Sequence, residues 1–585
     1  MNIRKQISVL SAVLALVGCA NRGVGPQGGP KDSIPPEVVR SVPENGALEF
    51  KGKRIEVMFN EYLQLDNLSQ NLLMSPPQQH PPEVKARGKH LVIQFVDSLR
   101  DSTTYTLDFG NAVCDYTEKN PAKNYTFAFS TGPVIDTLEV TGRVYDAATL
   151  NPVFGALAGI HSNHHDSAFS TMQLERIART DSSGAFRIGN MREGVYCIYA
   201  LEDVSRDYML TLGESLAFAD SLIHPGDSVS LWLFKQERQR LYLQRTLRDQ
   251  QHMIKLYFSF TPDSMPSFRA LSPSERDSTR SDSLWTDPTP YLFAQYSARR
   301  DTVTLWLTDS VAIMQDSIFL EARYRRTDSL YNLEWCTDTL RAVWRAPRLS
   351  AKARQAQERQ NRNRHLGLKS NARKGFEIYD TLAITCTTPL ALIERDSIHL
   401  YERVDTTYKP VSFTIEPYDT LPMQLRLLAS LDAGKQYELR VDSAAFRDVY
   451  GITHDKQKYS LQVKTPEDYS TLRVKLTPFL PKARIQVLSG KDQVVRELPA
   501  TQGGTLFEYL KPDTYYMRLY VDEDGDGKWT TGSWEPKRQP EAVYYFPEKI
   551  QTKSNWDFEE EWDYLAVPQT SAKPAELIKA SAKKK

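Results

Sequence analysis

Short runs of alternating apolar and polar residues recur along most of this chain of 585 residues. In one run Ile55, Val57 and Phe59 alternate with charged or flexible neighbours, and residues 125–132 read YTFAFSTG. A period of two places every second side chain on the same face of a strand, and the Gly, Pro, Asn and Asp between runs indicate turns. The pattern predicts a mainly β protein built from tandem antiparallel β-sandwich domains.

Breaks in this pattern divide the chain into five domains, which we expect to form an elongated string. Sandwiches are predicted over residues 37–133, 136–235, 376–466 and 467–565, and a β domain over residues 236–346. Residues 347–375 are rich in basic residues, which indicates either a solvated linker or a contact with anionic lipid or an acidic partner. Residues 566–585 end in three lysines and are predicted to be a disordered basic tail.

The first eighteen residues have the pattern of a signal peptide. Arg4 and Lys5 precede an apolar run over residues 7–17, which is too short to span a bilayer. The run ends in Leu-Val-Gly-Cys, which resembles the lipobox of bacterial lipoproteins. That resemblance implies that Cys19 becomes the first mature residue and carries acyl chains that anchor it to a membrane. Residues 19–36, rich in Gly and Pro, are predicted to be a flexible tether.

The charge and the cysteine content of the chain exclude some classes of function. The whole chain has 73 basic and 73 acidic residues, and without the two basic residues of the signal peptide the mature chain has a small net negative charge. No global basic field for nucleic acid is present. The four cysteines after Cys19 are widely separated, without the spacing of a zinc site or the density of a disulfide scaffold. We interpret them as buried, small apolar side chains.

Two kinds of domain resemble known families. Residues 35–132 contain SVPENG, then IEVMFNE and finally FAFST, in the order found in bacterial Ig-like domains related to S-layer proteins. From residue 138 the chain resembles the carboxypeptidase regulatory domain, a transthyretin-like sandwich, with Gly142 in its first strand and tight turns at Gly184 and Gly194. That domain is a non-catalytic appendage, so the resemblance implies no peptidase activity.

The same two patterns recur near the C-terminus. The motif at residues 437–451 resembles part of a second Ig-like unit, which spans residues 376–466. Residues 509–519 repeat the turn and strand of the transthyretin-like domain. Together with the lipobox, the GGPKD tether and the ending NWDFEEEW, the chain resembles a group of Ig-like lipoproteins of the Bacteroidetes cell envelope. The resemblance implies an outer-membrane lipoprotein built from sandwiches, facing either the periplasm or the surface.

An acidic loop, DEDGDGKW, is the strongest candidate for chemistry. Asp522, Asp524 and Asp526 alternate before a glycine, as in the first half of an EF-hand calcium loop, and Lys528 could offer its backbone carbonyl. The twelfth position holds Ser533, so the bidentate carboxylate must come from a nearby or distant acid. The alternative is an acidic hairpin turn with a tryptophan packed on the sandwich.

The remaining candidates are weaker. His161, His164, His165 and Asp166 lie close in sequence, but an exposed loop explains them better than a metal site, because they lack helical spacing. The chain contains no serine-hydrolase, zinc-protease or phosphate-loop motif at a strand-to-helix junction. We therefore expect no enzyme activity, although a site that no short motif reveals stays an alternative.

These observations lead to an expected function. The sequence favours a non-catalytic outer-membrane lipoprotein that acts as scaffold or accessory subunit of an envelope β-barrel complex, in protein assembly, export or uptake. The alternative is a surface adhesin or glycan-binding module that uses loop aromatics such as Trp285, Trp529 and Trp534.

Overall fold

A computed structural model describes most of the chain after the predicted tether. The described residues are 32–122, 124–236, 240–271, 292–297, 299–328, 332–346, 350, 352, 355, 365–417 and 423–579. Cys19, the predicted signal peptide and Trp285 lie outside them. Strands dominate the described residues and helices are few and short, which confirms the predicted mainly β class of tandem sandwiches. No described helix is long and apolar enough to cross a membrane.

The described chain forms two compact units. The first contains residues 32–146 and 152–233, and the second contains residues 147–151 and 234–579. Five separate hydrophobic cores lie within them, two in the first unit and three in the second. Each core is enclosed by its own sheets.

The first sandwich packs sheets of order β1-β2-β6-β5 and β4-β7-β9, with a small β3-β8 ladder. Ile55, Val57 and Phe59 are fully buried, as their alternation on β2 predicts. Phe129 contacts the rings of Phe50, with centroids 4.8 Å apart, and of Tyr105, with centroids 5.5 Å apart. The elements are β1 Val38–Val42, β2 Arg54–Phe59, β3 Leu63–Leu65, α1 Leu68–Asn71, β4 Leu73–Ser75, β5 Glu83–Arg87, β6 His90–Gln94, β7 Thr104–Asp108, β8 Val113–Asp115 and β9 Thr126–Ser130.

The second sandwich has strand order β12-β11-β14-β15-β16-β10-β13, in which β10 and β16 run parallel. Gly142 on β10 has no room for a side chain, because a Cβ atom there would lie 2.2 Å from the Val229 carbonyl oxygen. The turn before β13 uses Gly184 at φ +73°. The elements are β10 Leu138–Asp146, β11 Leu157–His161, α2 Ala168–Thr171, β12 Arg176–Arg179, β13 Ala185–Met191, β14 Cys197–Leu201, β15 Ser215–Phe218 and β16 Ser228–Lys235.

The third sandwich packs sheet β17-β18-β21-β20 against β19-β22-β23. Its longest ladder pairs β22 with β23 over eleven residues each. The elements are β17 Leu243–Gln250, β18 Met253–Phe258, β19 Ser267–Ala270, β20 Leu292–Tyr296, β21 Thr302–Leu307, α3 Ser310–Met314, β22 Ser317–Thr327 and β23 Leu333–Val343.

The fourth sandwich has sheets β24-β26-β31-β30 and β25-β34-β32-β28-β29, with a short β27-β33 ladder. Its first strand falls inside the predicted basic linker and its second strand begins there, so the predicted linker is too long at its C-terminal end. The reason is that buried Leu366 and half-buried Leu368 pack in this core despite basic neighbours. The strands are β24 Leu368–Ser370, β25 Lys374–Phe376, β26 Leu382–Cys386, β27 Leu390–Ile393, β28 Ile398–Val404, β29 Thr407–Pro410, β30 Phe413–Pro417, β31 Gln424–Ala429, β32 Gln436–Val441, β33 Phe446–Asp448 and β34 Gln457–Val463.

The fifth sandwich packs sheet β38-β35-β42 against a five-stranded sheet of order β37-β36-β39-β40, in which β41 also pairs with β39. Trp562 on β42 is buried in this core. The strands are β35 Ser470–Thr477, β36 Ala483–Ser489, β37 Val494–Pro499, β38 Thr505–Leu510, β39 Thr514–Val521, β40 Val543–Tyr545, β41 Ile550–Gln551 and β42 Asp557–Asp563.

The predicted disordered tail is wrong for residues 566–579. The Lys573 side chain is only 2% exposed, and its Nζ donates to Asp492 Oδ2 at 2.8 Å, to the Thr149 carbonyl at 2.7 Å and to Asn151 Oδ1 at 2.9 Å. A buried carboxylate and two further acceptors therefore hold a segment whose Ala, Pro and Lys content resembles a tail. Residues 580–585 lie outside the described chain.

Candidate metal centre

The acidic loop lies between β39 and β40 of the fifth sandwich, directly after the last residue of β39. Gly525 and Gly527 adopt φ values of +74° and +76°, where other residues would be strained. These two turns fold the loop back on Asp522, whose Oδ1 accepts the Gly525 amide at 2.8 Å and whose Oδ2 accepts the Gly527 amide at 3.1 Å. The glycines thus position the first carboxylate.

Three carboxylates converge at this loop. Asp522, Asp524 and Glu541 each offer one oxygen, and these oxygens lie within 4.8 Å of one another. Asp522 and Glu541 are both 8% exposed, whereas Asp524 is exposed. Within the described residues this is the one group of three or more acidic, histidine or cysteine side chains close enough to share an ion.

Glu541 is held as firmly as Asp522. Its Oε1 accepts the Glu523 amide at 2.7 Å and its Oε2 accepts the Thr530 amide at 2.8 Å. The Trp529 indole donates to the Glu541 carbonyl at 3.0 Å, which fixes the backbone of the same residue. Each carboxylate oxygen keeps a second lone pair that an ion could use.

Electrostatics favour a cation at this place. Burial raises the pKa of Glu541, and the neighbouring charges of Asp524 and Asp522 raise it further, although the two backbone donors lower it. A cation would relieve this repulsion. Arg538 supplies part of the compensation, since its Nη1 lies 3.8 Å from Asp524 Oδ2.

The structure changes the predicted ligand set. Asp522 and Asp524 belong to the group, but Asp526 does not, and its Oδ1 instead accepts the Lys528 amide at 2.7 Å. Glu541 is the distant acid that the loop pattern requires and does not identify. Glu541 reaches the loop only because β40 pairs with β39. The one sign of this ligand in the sequence is therefore an acidic residue just before the next strand.

The residue types fit calcium. Ca²⁺ takes oxygen ligands, including carboxylates in flexible arrangements, and three carboxylates around one point match that preference. Asp522, Asp524 and Glu541 would hold the ion, with backbone carbonyls or water completing its coordination. The alternative also has support, because the same loop is hydrogen-bonded and carries a tryptophan against the sandwich, as an acidic turn would.

The histidine cluster does not form a metal site. His161 is buried on β11, and its Nε2 lies 3.3 Å from the Met172 carbonyl oxygen. His164 is exposed, and its Nε2 lies 3.1 Å from the Val195 carbonyl oxygen. His165 and Asp166 are also exposed, and no group of these residues shares an ion among those the structure describes.

The described cysteines and Trp534 pack within the fold. The four described cysteines are free, with Cys114 and Cys386 buried and Cys197 and Cys336 half-buried. Trp534 is 6% exposed and lies beneath Lys537, so its ring is not an open platform for a sugar.

Comparisons with known proteins identify one domain. The family described as bacterial Ig-like domain matches residues 32–131, the first sandwich, which agrees with the resemblance noted there. No curated protein sequence matches the chain. The family match covers a single sandwich, so it assigns the fold of that domain.

The solved structures that match this chain are only distantly similar to it. The N-terminal part of the bacterial S-layer protein SbsC is 13% identical with a TM-score of 0.17, and the match covers 29% of this chain and 44% of that one. Domains 1–6 of SbsC are 9% identical with a TM-score of 0.13, covering 90% of this chain and 68% of that one. The Bacillus cereus pilin BcpA is 7% identical with a TM-score of 0.12, covering 73% and 98%. The chain spans less than half of the first of these structures.

Proposed function

We propose that this chain is a non-catalytic, lipid-anchored scaffold or accessory subunit of an envelope β-barrel complex, and that it binds its partner by strand addition. The anchor would be the acylated Cys19 at the outer membrane. The single observation that carries the docking part of the proposal is strand β23 of the third sandwich. It is eleven residues long and pairs with β22 along one edge.

The other edge of β23 is available for pairing. The Trp344 amide, next after the strand, donates to the Asp316 carbonyl, so even-numbered residues face β22 in the antiparallel register. The odd-numbered residues therefore direct their N–H and C=O groups to the opposite edge. In the part of the chain that the structure describes, no other strand pairs with this edge. All five odd-numbered residues between Trp335 and Val343 are exposed.

The composition of β23 suits pairing with a second strand. Long exposed edges are normally shortened, charged or interrupted by proline, because they otherwise recruit another chain. Thr337, Thr339 and Val343 are good strand formers, and β23 contains no proline or lysine. Main-chain hydrogen bonds to an added strand would supply affinity, and exposed Trp335 would supply a side-chain contact.

Affinity purification of tagged full-length protein from detergent-solubilised outer membranes, with mass spectrometry, tests the proposal. We expect stoichiometric recovery of a β-barrel protein. Thr339→Pro removes a free-edge N–H without removing a bond to β22, so it should release the partner. Thr339→Val keeps that N–H and should retain the partner. Circular dichroism checks that both variants fold.

Two results would contradict the proposal. One is recovery of the protein alone, from membranes in which other complexes survive. The second is a folded Thr339→Pro variant that keeps its partner, which would move docking to another surface. Recovery of the protein alone, together with binding to envelope glycans, would favour the adhesin alternative.

A further inference from the structure

The first compact unit contains a cleft that the proposed scaffold function does not use. Its volume is about 700 Å³, and it lies between two walls. One wall comes from α1, β4 and the proline-rich segment after β4, and the other comes from residues 206–209. Apolar side chains include Leu72, Met74, Pro77, Pro82 and Met209.

Hydrogen bonds hold the second wall in place. Glu214 Oε1 accepts the amides of Val204 at 2.8 Å and Ser205 at 3.1 Å, and Oε2 accepts the Thr211 amide at 3.2 Å. Arg206 and Tyr208 stand at φ +62° and +61°, which non-glycine residues adopt only where their surroundings fix them. The wall is thus built before any ligand arrives.

One polar contact joins the two walls. The Arg206 Nη1 donates to the Ser69 carbonyl at 3.3 Å, across the cleft. Gln173, which also lines the cleft, supports the second wall, because its Nε2 donates to the Asp207 carbonyl at 3.2 Å. A preformed concave site of this volume, mostly apolar with a few polar groups, is typical of small-molecule binding.

Both charged side chains of the cleft lining, Arg206 and Asp207, make hydrogen bonds within the protein. Asp207 accepts the Met209 amide at 3.0 Å and the Thr211 hydroxyl at 2.8 Å, and Arg206 is engaged by Ser69. The remaining polar side chains include the carboxamides of Gln78 and Gln79. The opposite charges of Arg206 and Asp207 leave the lining without net charge, which favours a neutral ligand.

Gln78 indicates what polar group that ligand carries. Its Oε1 is buried and has no hydrogen-bond partner among the described residues, which is costly for a carbonyl oxygen. A change of side-chain rotamer would turn the whole carboxamide of Gln78, which lines the cleft, towards a ligand. A ligand N–H or O–H would then satisfy the acceptor.

We propose that this cleft binds a neutral small molecule with a mainly apolar body and one uncharged hydrogen-bond donor. Leu72, Met74 and Met209 contact the apolar body, and Gln78 accepts from the donor. This site is independent of strand β23, so it holds whether or not the chain acts as a scaffold.

Fluorescence titration with N-phenylnaphthylamine tests the proposal, since this neutral dye has two aromatic ring systems and one N–H donor. The full chain carries Cys19→Ser, so that neither acyl chains nor detergent compete for the dye. We expect saturable binding of one equivalent. The N-methyl analogue, which lacks the donor, should bind roughly threefold to tenfold more weakly, as expected for one lost hydrogen bond.

Variants locate the bound dye. Met209→Glu places a charge in the apolar cleft and should weaken binding at least about tenfold. Met172→Glu makes the same change at an exposed methionine outside the cleft lining and should leave binding unchanged. Gln78→Leu should abolish the preference for the dye over its N-methyl analogue.

Three results would overturn the proposal. The first is no saturable binding up to the solubility limit of the dye. The second is equal binding by Met209→Glu and Met172→Glu, with both variants folded, because the dye would then sit elsewhere. The third is an unchanged donor preference in Gln78→Leu.

Discussion

Glu377, next to β25, predicts how the junction between the fourth and fifth sandwiches responds to acid. Its side chain is 6% exposed and its Oε2 accepts the Tyr469 hydroxyl at 2.7 Å. Lys464 Nζ lies 3.2 Å and Lys511 Nζ 2.9 Å from its Oε1. Burial raises the pKa of this carboxyl, but hydrogen bonds from Tyr469, Lys511 and Lys464 outweigh burial and lower the pKa to about 2.

The magnitude follows from linkage. A carboxyl whose pKa falls from 4.5 in the unfolded chain to about 2 in the folded chain contributes about 3 kcal/mol at neutral pH. Because the folded pKa is the lower one, this stability is present above pH 4.5 and is lost as the pH falls towards 2. At pH 3 roughly 1.5 kcal/mol of it should remain.

Glu377→Gln should therefore destabilise the junction by about 3 kcal/mol at pH 7. Hydrogen–deuterium exchange of peptides from β34 and β35 measures this, and a loss of that size accelerates exchange roughly 100-fold. Glu416→Gln is the matched control, since Glu416 makes a half-exposed pair with Arg426 at 3.4 Å and should cost less than about 0.5 kcal/mol.

The pH dependence is the sharper part of this test. The difference between wild type and Glu377→Gln should shrink by about half between pH 7 and pH 3, after correction for intrinsic exchange rates. A difference below about 0.5 kcal/mol at pH 7, or one that is equal at both pH values, would refute the reasoning.

Three further predictions concern the candidate metal centre, a core and the C-terminal segment. Calcium should raise the thermal unfolding midpoint of the fifth sandwich, and a chelator should reverse this rise. Glu541→Gln should remove the rise whereas Asp526→Asn should keep it, and calorimetric titration measures calcium binding directly. Phe129→Ala should cost about 3–5 kcal/mol in denaturant unfolding of the first sandwich, and a cost below about 1 kcal/mol would contradict its place in that core. Lys573→Ala leaves the buried Asp492 without its charged partner and should cost about 3–5 kcal/mol, and equal protease sensitivity of the C-terminal segment in variant and wild type would count against this.

Strand periodicity predicts more of this fold than residue composition does. The alternation of Ile55, Val57 and Phe59 is a direct consequence of strand geometry, and all three side chains are buried as that geometry requires. Composition was misleading where burial depends on distant partners. Residues 566–579 have the content of a tail, yet Lys573 is buried because Asp492 lies far away in sequence and close in space.

The candidate metal centre shows the same limit. Asp522 and Asp524 lie in one loop, where the spacing of acids and glycines is visible in the sequence. Glu541 joins them only because β40 returns beside β39, and no local pattern records that pairing. The cleft in the first unit was not predicted at all, since its two walls are more than a hundred residues apart in the chain.

Buried charges at the joints between sandwiches have a role that the apolar cores cannot have. An apolar core tolerates small shifts of its partners, whereas a buried charge is stable only with its counter-charge and donors in place. In the first unit Arg176 is 8% exposed, lies 3.8 Å from Asp136 Oδ2 and donates to the Ser75 carbonyl of the first sandwich at 3.4 Å. In the second unit Glu377 does the same for the fourth and fifth sandwiches. Within each unit, these contacts favour one orientation of neighbouring sandwiches, which is what a cleft built from two sandwiches needs in order to keep its shape.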